Sequence, residues 1–174
     1  MADPELVETV CTVVRGRLTS AQAEEILRAT LPLQVRAKSL ILREGDEGAG
    51  LLLFLRGRAE VLKQGPDGGQ PIAVVEAPSV LGEMSLVTDR RQSATVRALT
   101  DCELRLLARR DFHRLLEADS LAAYKLVAAI AEVLAHRLYR MDEKALELAA
   151  RADRPPLVEE LAVFKEKLFS EWSF

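Results

Sequence analysis

Residues 31–107 repeat one pattern that constrains the fold more than any other feature of the chain. Short apolar runs of three to five residues alternate with clusters of glycine, proline, aspartate and arginine; the runs are residues 40–42, 51–55, 59–62, 72–75, 94–98 and 104–107. Runs this short, so closely spaced, are typical of strands joined by tight turns. Asp67-Gly68-Gly69 is the clearest hairpin tip, because glycine there permits positive φ. The pattern predicts an antiparallel roll, barrel or sandwich rather than βαβ units.

Helical patterns flank this β region on both sides. Residues 4–30 have a helical period, with Thr19 and Gln22 spaced as a capping box. Asp111 is predicted to cap a short helix, and Ser120 a long one. We therefore expect an α+β protein with N-terminal helices, a jelly-roll-like β-roll and a long C-terminal helix, followed by a short one.

The long helix carries apolar residues at alternating spacings of four and three. Its seam residues are Val127, Ala131, Leu134, Leu138, Met141, Ala145 and Leu148. This heptad-like seam can pack on its own domain or against a second copy of the chain. The length and regularity of the seam favour a homodimer through the long helix, with Leu134, Leu138 and Met141 in the contact.

Pro155-Pro156 ends the long helix, and an amphipathic segment follows. Its large side chains include Phe164, Leu168 and Trp172. The segment can fold back over apolar surface of its own chain, or it can dock another protein through these anchors. The pattern thus predicts four parts: helices at 1–30, the roll at 31–119, the long helix at 120–154 and a tail at 155–174.

Composition excludes several classes of protein. The 174 residues are 49% hydrophobic and 29% charged, as in an ordinary globular chain, and the net charge is −3. That balance argues against a surface that binds phosphate backbones. The two cysteines, Cys11 and Cys102, have no metal-site or disulfide spacing. Neither a membrane span nor a signal peptide is present, so we expect a cytoplasmic protein that does not bind membranes.

The sequence contains none of the motifs that would indicate catalysis. It has no P-loop, nucleophile elbow, zinc-protease helix or EF-hand. His113 and His136 stand without a second ligand at suitable spacing, so no metal site is predicted. We expect neither enzymatic activity nor a resident cofactor.

One segment, residues 81–98, is unusual and is called the cassette below. It places Gly82-Glu83 where a strand gives way to a short helical turn, and a polar loop and a new strand follow. Glycine allows close backbone approach, and the amides of Met84 and Ser85 are available to an anion. Glu83 can accept hydrogen bonds from hydroxyls, and Ser93 and the Ala94 amide can donate to the same anion. These residues alone fit a ligand site and an ordinary capped turn about equally well.

The cassette resembles that of the cyclic nucleotide-binding domain family. The resemblance covers roughly residues 20–145 and includes Arg43-Glu44-Gly45-Asp46, residues 55–61 and the whole cassette, in the family's order. It implies an eight-stranded β-roll with cAMP or cGMP bound over the short helix, and a hinge helix that acts as a lid. Fold alone does not settle function.

The resemblance also assigns roles to single residues. Glu83 corresponds to the acceptor of the ribose 2′-hydroxyl. Gly82, Met84 and Ser85 correspond to the backbone around the cyclic phosphate, and Ser93, Ala94 and Thr95 to the strand that closes the site. The lid would bring Arg137, Met141 or Asp142 near the base.

Gln92 departs from the family pattern. The resemblance places it where the family has an arginine that pairs with the phosphate. Glutamine cannot form that bidentate, charge-assisted pair, and losing it costs about 2–5 kcal/mol of binding free energy. Arg90 would point to the same side as Gln92 if the following strand extended back that far, whereas Arg91 would point away.

Two hypotheses of function follow from these patterns. In the first, the chain is a stand-alone ligand sensor that signals through its C-terminal helices to a protein partner. In the second, it is a scaffold of the same fold that binds no nucleotide and acts by protein contact. The family's transcription regulators continue into a helix-turn-helix, which is not expected in the 18 residues after Pro155-Pro156, so no DNA binding is expected.

Overall fold

Eight antiparallel strands form two four-stranded sheets in the computed structural model, which describes residues 3–65, 68–88 and 90–151, without the side chains of 144 and 148–151. The strands are β1 (Thr30–Val35), β2 (Leu40–Leu42), β3 (Gly50–Arg56), β4 (Arg58–Gly65), β5 (Gly68–Glu76), β6 (Ser79–Leu81), β7 (Thr95–Ala98) and β8 (Cys102–Ala108). The helices are α1 (Pro4–Val13), α2 (Ser20–Arg28), α3 (Glu83–Thr88), α4 (Arg109–Glu117) and α5 (Leu121–Arg151). The predicted α+β roll is confirmed.

The two sheets enclose the core. The first has the order β1-β8-β3-β6 and the second β2-β7-β4-β5. The core cluster draws on both of them, and its buried members are Leu52, Phe54, Ala59, Leu81, Val96, Ala98, Cys102 and Leu104. β3 is buried on both faces, since one face meets this core and α1 and α4 contact the strand as well. This explains why β3 is an unbroken apolar run.

Five of the six predicted apolar runs lie wholly within strands, and the run at 94–98 begins one residue before β7. The predicted hairpin is also present, because β4 ends at Gly65, β5 begins at Gly68, and these two residues are paired. Two strands were not among the runs. β1 is mostly exposed and contains Pro32, and β6 is only three residues long and directly follows Pro78. Both are edge strands of the first sheet, so each has a single partner strand and a weak apolar signal.

Helix capping agrees with the sequence at two of three positions. Thr19 and Gln22 form the predicted capping box, with hydrogen bonds of 3.1 and 3.4 Å. The Ser120 hydroxyl accepts from the Ala123 amide at 3.2 Å and so caps α5. The prediction for Asp111 is wrong: α4 begins at Arg109, so Asp111 lies inside the first turn and pairs with Arg114 at 3.1 Å. A carboxylate in the first turn still stabilises the helix, because it interacts favourably with the partial positive charge at the helix N-terminus.

The chain divides into two units, residues 1–130 and 131–174. The first holds both sheets, α1 to α4 and the first ten residues of α5. The described part of the second consists of α5 from residue 131 onward. The predicted tail, with Phe164, Leu168 and Trp172, lies outside the described residues. Among the described residues, no helix is both long enough and apolar enough to cross a bilayer.

Candidate functional site

The cassette begins with a sharp change of backbone direction at Gly82. Its φ is +77°, a conformation that residues with a Cβ rarely adopt. A methyl group on Gly82 would also lie 2.8 Å from the Gly50 carbonyl oxygen. Glycine is therefore required both for the turn and for the close passage of α3 beside β3.

The first turn of α3 buries two polar side chains. Glu83 is 3% exposed and Ser85 is 1% exposed, whereas Met84 between them is 46% exposed. The Ser85 hydroxyl donates to the Gly82 carbonyl at 2.9 Å. The bond ties the side chain to the turn and keeps the hydroxyl oxygen available as an acceptor.

Gln92 donates a hydrogen bond to this hydroxyl oxygen. Its Nε2 donates to Ser85 Oγ at 3.1 Å, and the residue is 7% exposed. Its backbone is held from both sides, because Gln92 N donates to Asp46 O at 2.8 Å and Gly45 N donates to Gln92 O at 2.9 Å. The side chain at the position assigned to the phosphate-pairing arginine therefore reaches α3 directly.

Neither neighbouring arginine takes over this place in the described structure. β7 begins at Thr95, so residues 90–94 are not a strand, and the argument from alternation that favoured Arg90 fails. Arg90 is exposed. Arg91 Nη1 donates to Gly45 O at 2.9 Å, and Nη2 lies 4.0 Å from the Glu47 carboxylate. Arg91 thus braces the turn at 45–47.

The closing side of the cassette is held by the chain around it. Ser93 Oγ lies 3.5 Å from Met84 Sδ across the loop, and the Ser93 carbonyl accepts from Lys63 Nζ at 2.6 Å. Thr95 Oγ1 accepts from the Glu44 amide at 3.0 Å, and Ala94 is half-buried. Hydrogen bonds thus link Gly82, Ser85 and Gln92 in one chain, and Met84 lies against Ser93.

A comparison with known families decides what this arrangement is. The family model described as the cyclic nucleotide-binding domain matches residues 32–119, which is half of the chain and includes the whole cassette. The chain belongs to the cyclic nucleotide-binding domain family. The resemblance drawn from the cassette sequence is confirmed.

The chain is also similar to curated proteins whose names refer to cyclic nucleotides. The chain is 30% identical to a Drosophila melanogaster cGMP-dependent protein kinase (isozyme 2) over 99 residues, which are 57% of this chain and 9% of the kinase. It is 35% identical to the cAMP-dependent protein kinase regulatory subunit of Aspergillus niger over 80 residues, 46% of this chain and 19% of that subunit. It therefore spans less than a fifth of either relative.

Solved structures agree with the fold. A cyclic nucleotide-binding domain from Methylobacillus flagellatus KT is 26% identical, with a TM-score of 0.74 over 82% of both chains. The Thermus thermophilus catabolite activator protein is 24% identical, with a TM-score of 0.63 over 83% of this chain and 73% of that one. The second likeness is one of fold alone.

The domain also contains an ionic clasp that the sequence analysis missed. The Glu44 carboxylate accepts from Lys63 Nζ at 2.5 Å and from the Gln64 amide at 2.9 Å. These bonds, led by the one from Lys63, lower the pKa of Glu44 from its usual value. Lys63 also donates to the Ser93 carbonyl, and the Glu44 amide donates to Thr95 Oγ1. The clasp therefore connects β4 to the closing side of the cassette at residues 93 and 95. Nothing in the sequence indicates that residues 19 apart form this pair.

Two further residues against α3 were not foreseen. A methyl group on Gly48 would lie 2.6 Å from Ser85 Cβ, so the turn before β3 packs directly on α3. Arg109 reaches α3 from the start of α4 and donates to the carbonyls of Ser85 and Leu86. The short spacing of Gly45, Gly48 and Gly50 is the one signal that could have indicated close packing here.

The seam residues of α5 remain predictions as an interface. Leu138 and Met141 are 52% and 68% exposed, Leu134 is half-buried, and the side chain of Leu148 is not described. The predicted lid residues Arg137, Met141 and Asp142 belong to the second unit, and their assignment also stays a prediction. Within residues 3–65, 68–88 and 90–151, no three His, Cys, Asp or Glu side chains are placed to hold a metal ion.

Proposed function

We propose that this domain is a regulatory module that binds a cyclic nucleotide in its cassette and is not itself an enzyme. The observation that supports this most is where polar groups are buried. Five polar or charged residues are buried in the described chain, and three of them, Glu83, Ser85 and Gln92, are in the cassette. Burying a polar side chain costs folding free energy unless the group is hydrogen-bonded. The concentration of such side chains in one segment therefore favours a ligand site there.

The proposed ligand is cAMP or cGMP. The family and the names of the two kinase relatives favour this class. Glu83 would accept hydrogen bonds from the ribose, and the backbone at Gly82, Met84 and Ser85 would surround the cyclic phosphate. Ser93, Ala94 and Thr95 would close the site.

Gln92 makes this site weaker than one with arginine. A neutral amide forms a single hydrogen bond to phosphate and leaves the negative charge unpaired. One of the two N–H donors of its amide is already bonded to Ser85 Oγ, which leaves one for the ligand. The module would consequently respond at higher ligand concentrations than a relative with the arginine.

Calorimetric titration of cAMP, cGMP and cyclic dinucleotides tests the proposal. The native protein is compared with Gln92→Arg and with Gln70→Arg, which adds the same charge at an exposed position on β5. Micromolar binding of cAMP or cGMP by the native protein supports the sensor. Binding of only a cyclic dinucleotide would replace the ligand class that we propose.

A scaffold is the second candidate function, and one observation favours it. The Gln92 side chain is engaged within the cassette, where its amide donates to Ser85 Oγ at 3.1 Å. If the native protein and Gln70→Arg bind no cyclic nucleotide, but Gln92→Arg does, the cassette is intact and disabled at one position. The scaffold then replaces the sensor.

For either function we propose that the output is a protein contact rather than DNA binding. The 4-3-4-3 spacing of the α5 seam and the exposure of Leu138 and Met141 favour a homodimer. The tail, with Phe164, Leu168 and Trp172, is the proposed docking segment for another protein. Capture of a partner that survives removal of residues 157–174 would contradict the role of the tail.

A further inference from the structure

Arg109 contacts the cassette from an element that lies outside it. It is the first residue of α4, and its half-buried side chain crosses to α3. Nη1 donates to the Leu86 carbonyl at 3.3 Å, and Nη2 donates to the Ser85 carbonyl. One guanidinium thus holds two successive carbonyls of the cassette helix.

These carbonyls lie in the last turn of α3. α3 ends at Thr88, and the carbonyls in the last turn of a helix are the ones that side chains from neighbouring elements commonly help to satisfy. A cation at this end of a helix also compensates the partial negative charge of its carbonyls. Arg109 therefore satisfies the C-terminal end of α3, while Gln92 and Ser85 are bonded to each other near its other end.

The surroundings of Arg109 fix its position. Its own amide donates to the Ala49 carbonyl at 3.0 Å, which attaches the start of α4 to the turn before β3. A methyl group on Gly48 would lie 3.5 Å from Nη2 and still closer to Ser85. The turn at 48–49, α3 and α4 thus meet at this guanidinium.

We propose that Arg109 is a positioning residue, which holds the cassette helix in its binding geometry and links that helix to α4. The expected effect of Arg109 on ligand affinity rests on the proposed function, which is the binding of a cyclic nucleotide. Because the link is a direct pair of hydrogen bonds, a displacement of α3 has to move α4 or break them. Nothing in the sequence marks Arg109 off from Arg110 beside it.

Two variants and a matched control test this role. Arg109→Met keeps the aliphatic stem and removes the donors, and Arg109→Lys keeps the charge without the planar fork. Arg110→Met is the control, since that side chain is 81% exposed and lies 3.6 Å from Asp111. For each protein, hydrogen exchange is measured without ligand at the amides of residues 86–88 and of β3, and the cAMP dissociation constant is measured by calorimetry.

We expect Arg109→Met to exchange about tenfold or more faster at residues 86–88, with β3 unchanged, because two charge-assisted bonds are lost locally. Its cAMP affinity should fall by about 10- to 100-fold. Arg109→Lys should give intermediate values for both quantities, and Arg110→Met should match the native protein. A purely structural role would accelerate β3 equally and would not be rescued by lysine.

Other outcomes overturn the proposal or separate it from the proposed function. Exchange and affinity in Arg109→Met that equal those of Arg110→Met overturn it. If the native protein binds no cyclic nucleotide, the proposed function fails, and the exchange at residues 86–88 alone decides the positioning role. If Arg109→Met does not fold, Arg109→Lys decides, and unchanged exchange in that variant overturns the proposal.

Discussion

Gly48 lies directly against Ser85, so closely that a methyl group on Gly48 would come within 2.6 Å of Ser85 Cβ. The residue contributes no side chain to the cassette, yet it sets the distance between the turn before β3 and α3. The buried Ser85 cannot move aside without disturbing its bonds to Gly82 and Gln92.

Gly48→Ala should therefore destabilise the protein. Overpacking at a buried contact typically costs about 1–3 kcal/mol of unfolding free energy. Gly69→Ala is the matched control, because a methyl group there would be 3.8 Å from Leu62 Cβ, an ordinary contact. Urea denaturation compares the two variants, and equal midpoints would show that α3 yields easily at Gly48.

Gln92→Arg should strengthen the binding of cAMP or cGMP. Restoring a charge-assisted pair to the phosphate is worth about 2–5 kcal/mol, or roughly 30- to several-thousand-fold in affinity. The same change removes the bond to Ser85 and buries a cation, so the ligand-free variant should have a lower Tm than the native protein. Differential scanning fluorimetry with and without ligand measures both effects, and a variant with native Tm and native affinity contradicts them.

Glu44→Gln should destabilise the protein at neutral pH and not in acid. The pKa of Glu44 is lowered in the folded protein from its usual 4.5, so its ionised form adds stability above that value. That contribution disappears as the pH falls below 4.5 and through the folded pKa. Urea titrations of both proteins between pH 7 and pH 3 should give unfolding free energies that converge in acid.

The control for this pH dependence is Glu47→Gln. The Glu47 side chain is 88% exposed, and its carboxylate is as far as 4.0 Å from Arg91 Nη2. Surface ion pairs of this kind contribute little to stability. Its difference from the native protein should be small at every pH in the series. A similar pH-dependent difference in Glu47→Gln would mean that general charge, and not the Lys63 clasp, is responsible.

Leu138→Glu should abolish a dimer formed through the α5 seam. A charge at a seam position would be buried against its counterpart in the second chain. Tyr139→Glu places the same charge one residue outside the seam, where the side chain is 72% exposed, and should leave the dimer intact. Sedimentation equilibrium gives the association state, and equal behaviour of the two variants contradicts this interface.

The sequence predicted what local patterns determine. Apolar runs located six of the eight strands, the Thr19–Gln22 capping box follows from a spacing of three residues, and the Ser120 cap follows from its place before a helical pattern. The cassette was also predictable, because its glycine, glutamate and following strand are contiguous in the chain. The family resemblance singled out Gln92 in the loop after α3, and its side chain donates to Ser85 of that helix.

The remaining site residues are set by contacts between distant segments. Arg109 is 24 residues from Ser85, and Gly48 comes close to it only because β3 and α3 are neighbours in the fold. The edge strands β1 and β6 were missed because their local signals are weak, since β1 is mostly exposed and β6 is only three residues long. A pattern read along one segment contains no information about what packs on it from another.

The cassette connects β6, at the edge of the first sheet, with β7, inside the second. Its ends are therefore in place only when both sheets have assembled, and closing the loop earlier would cost entropy that no contact repays. We expect the cassette to be among the last parts of the chain to acquire native structure during folding. A molecule with only one sheet formed would lack the proposed site, so the stoichiometry of a cyclic-nucleotide titration should report the fully folded fraction of a preparation.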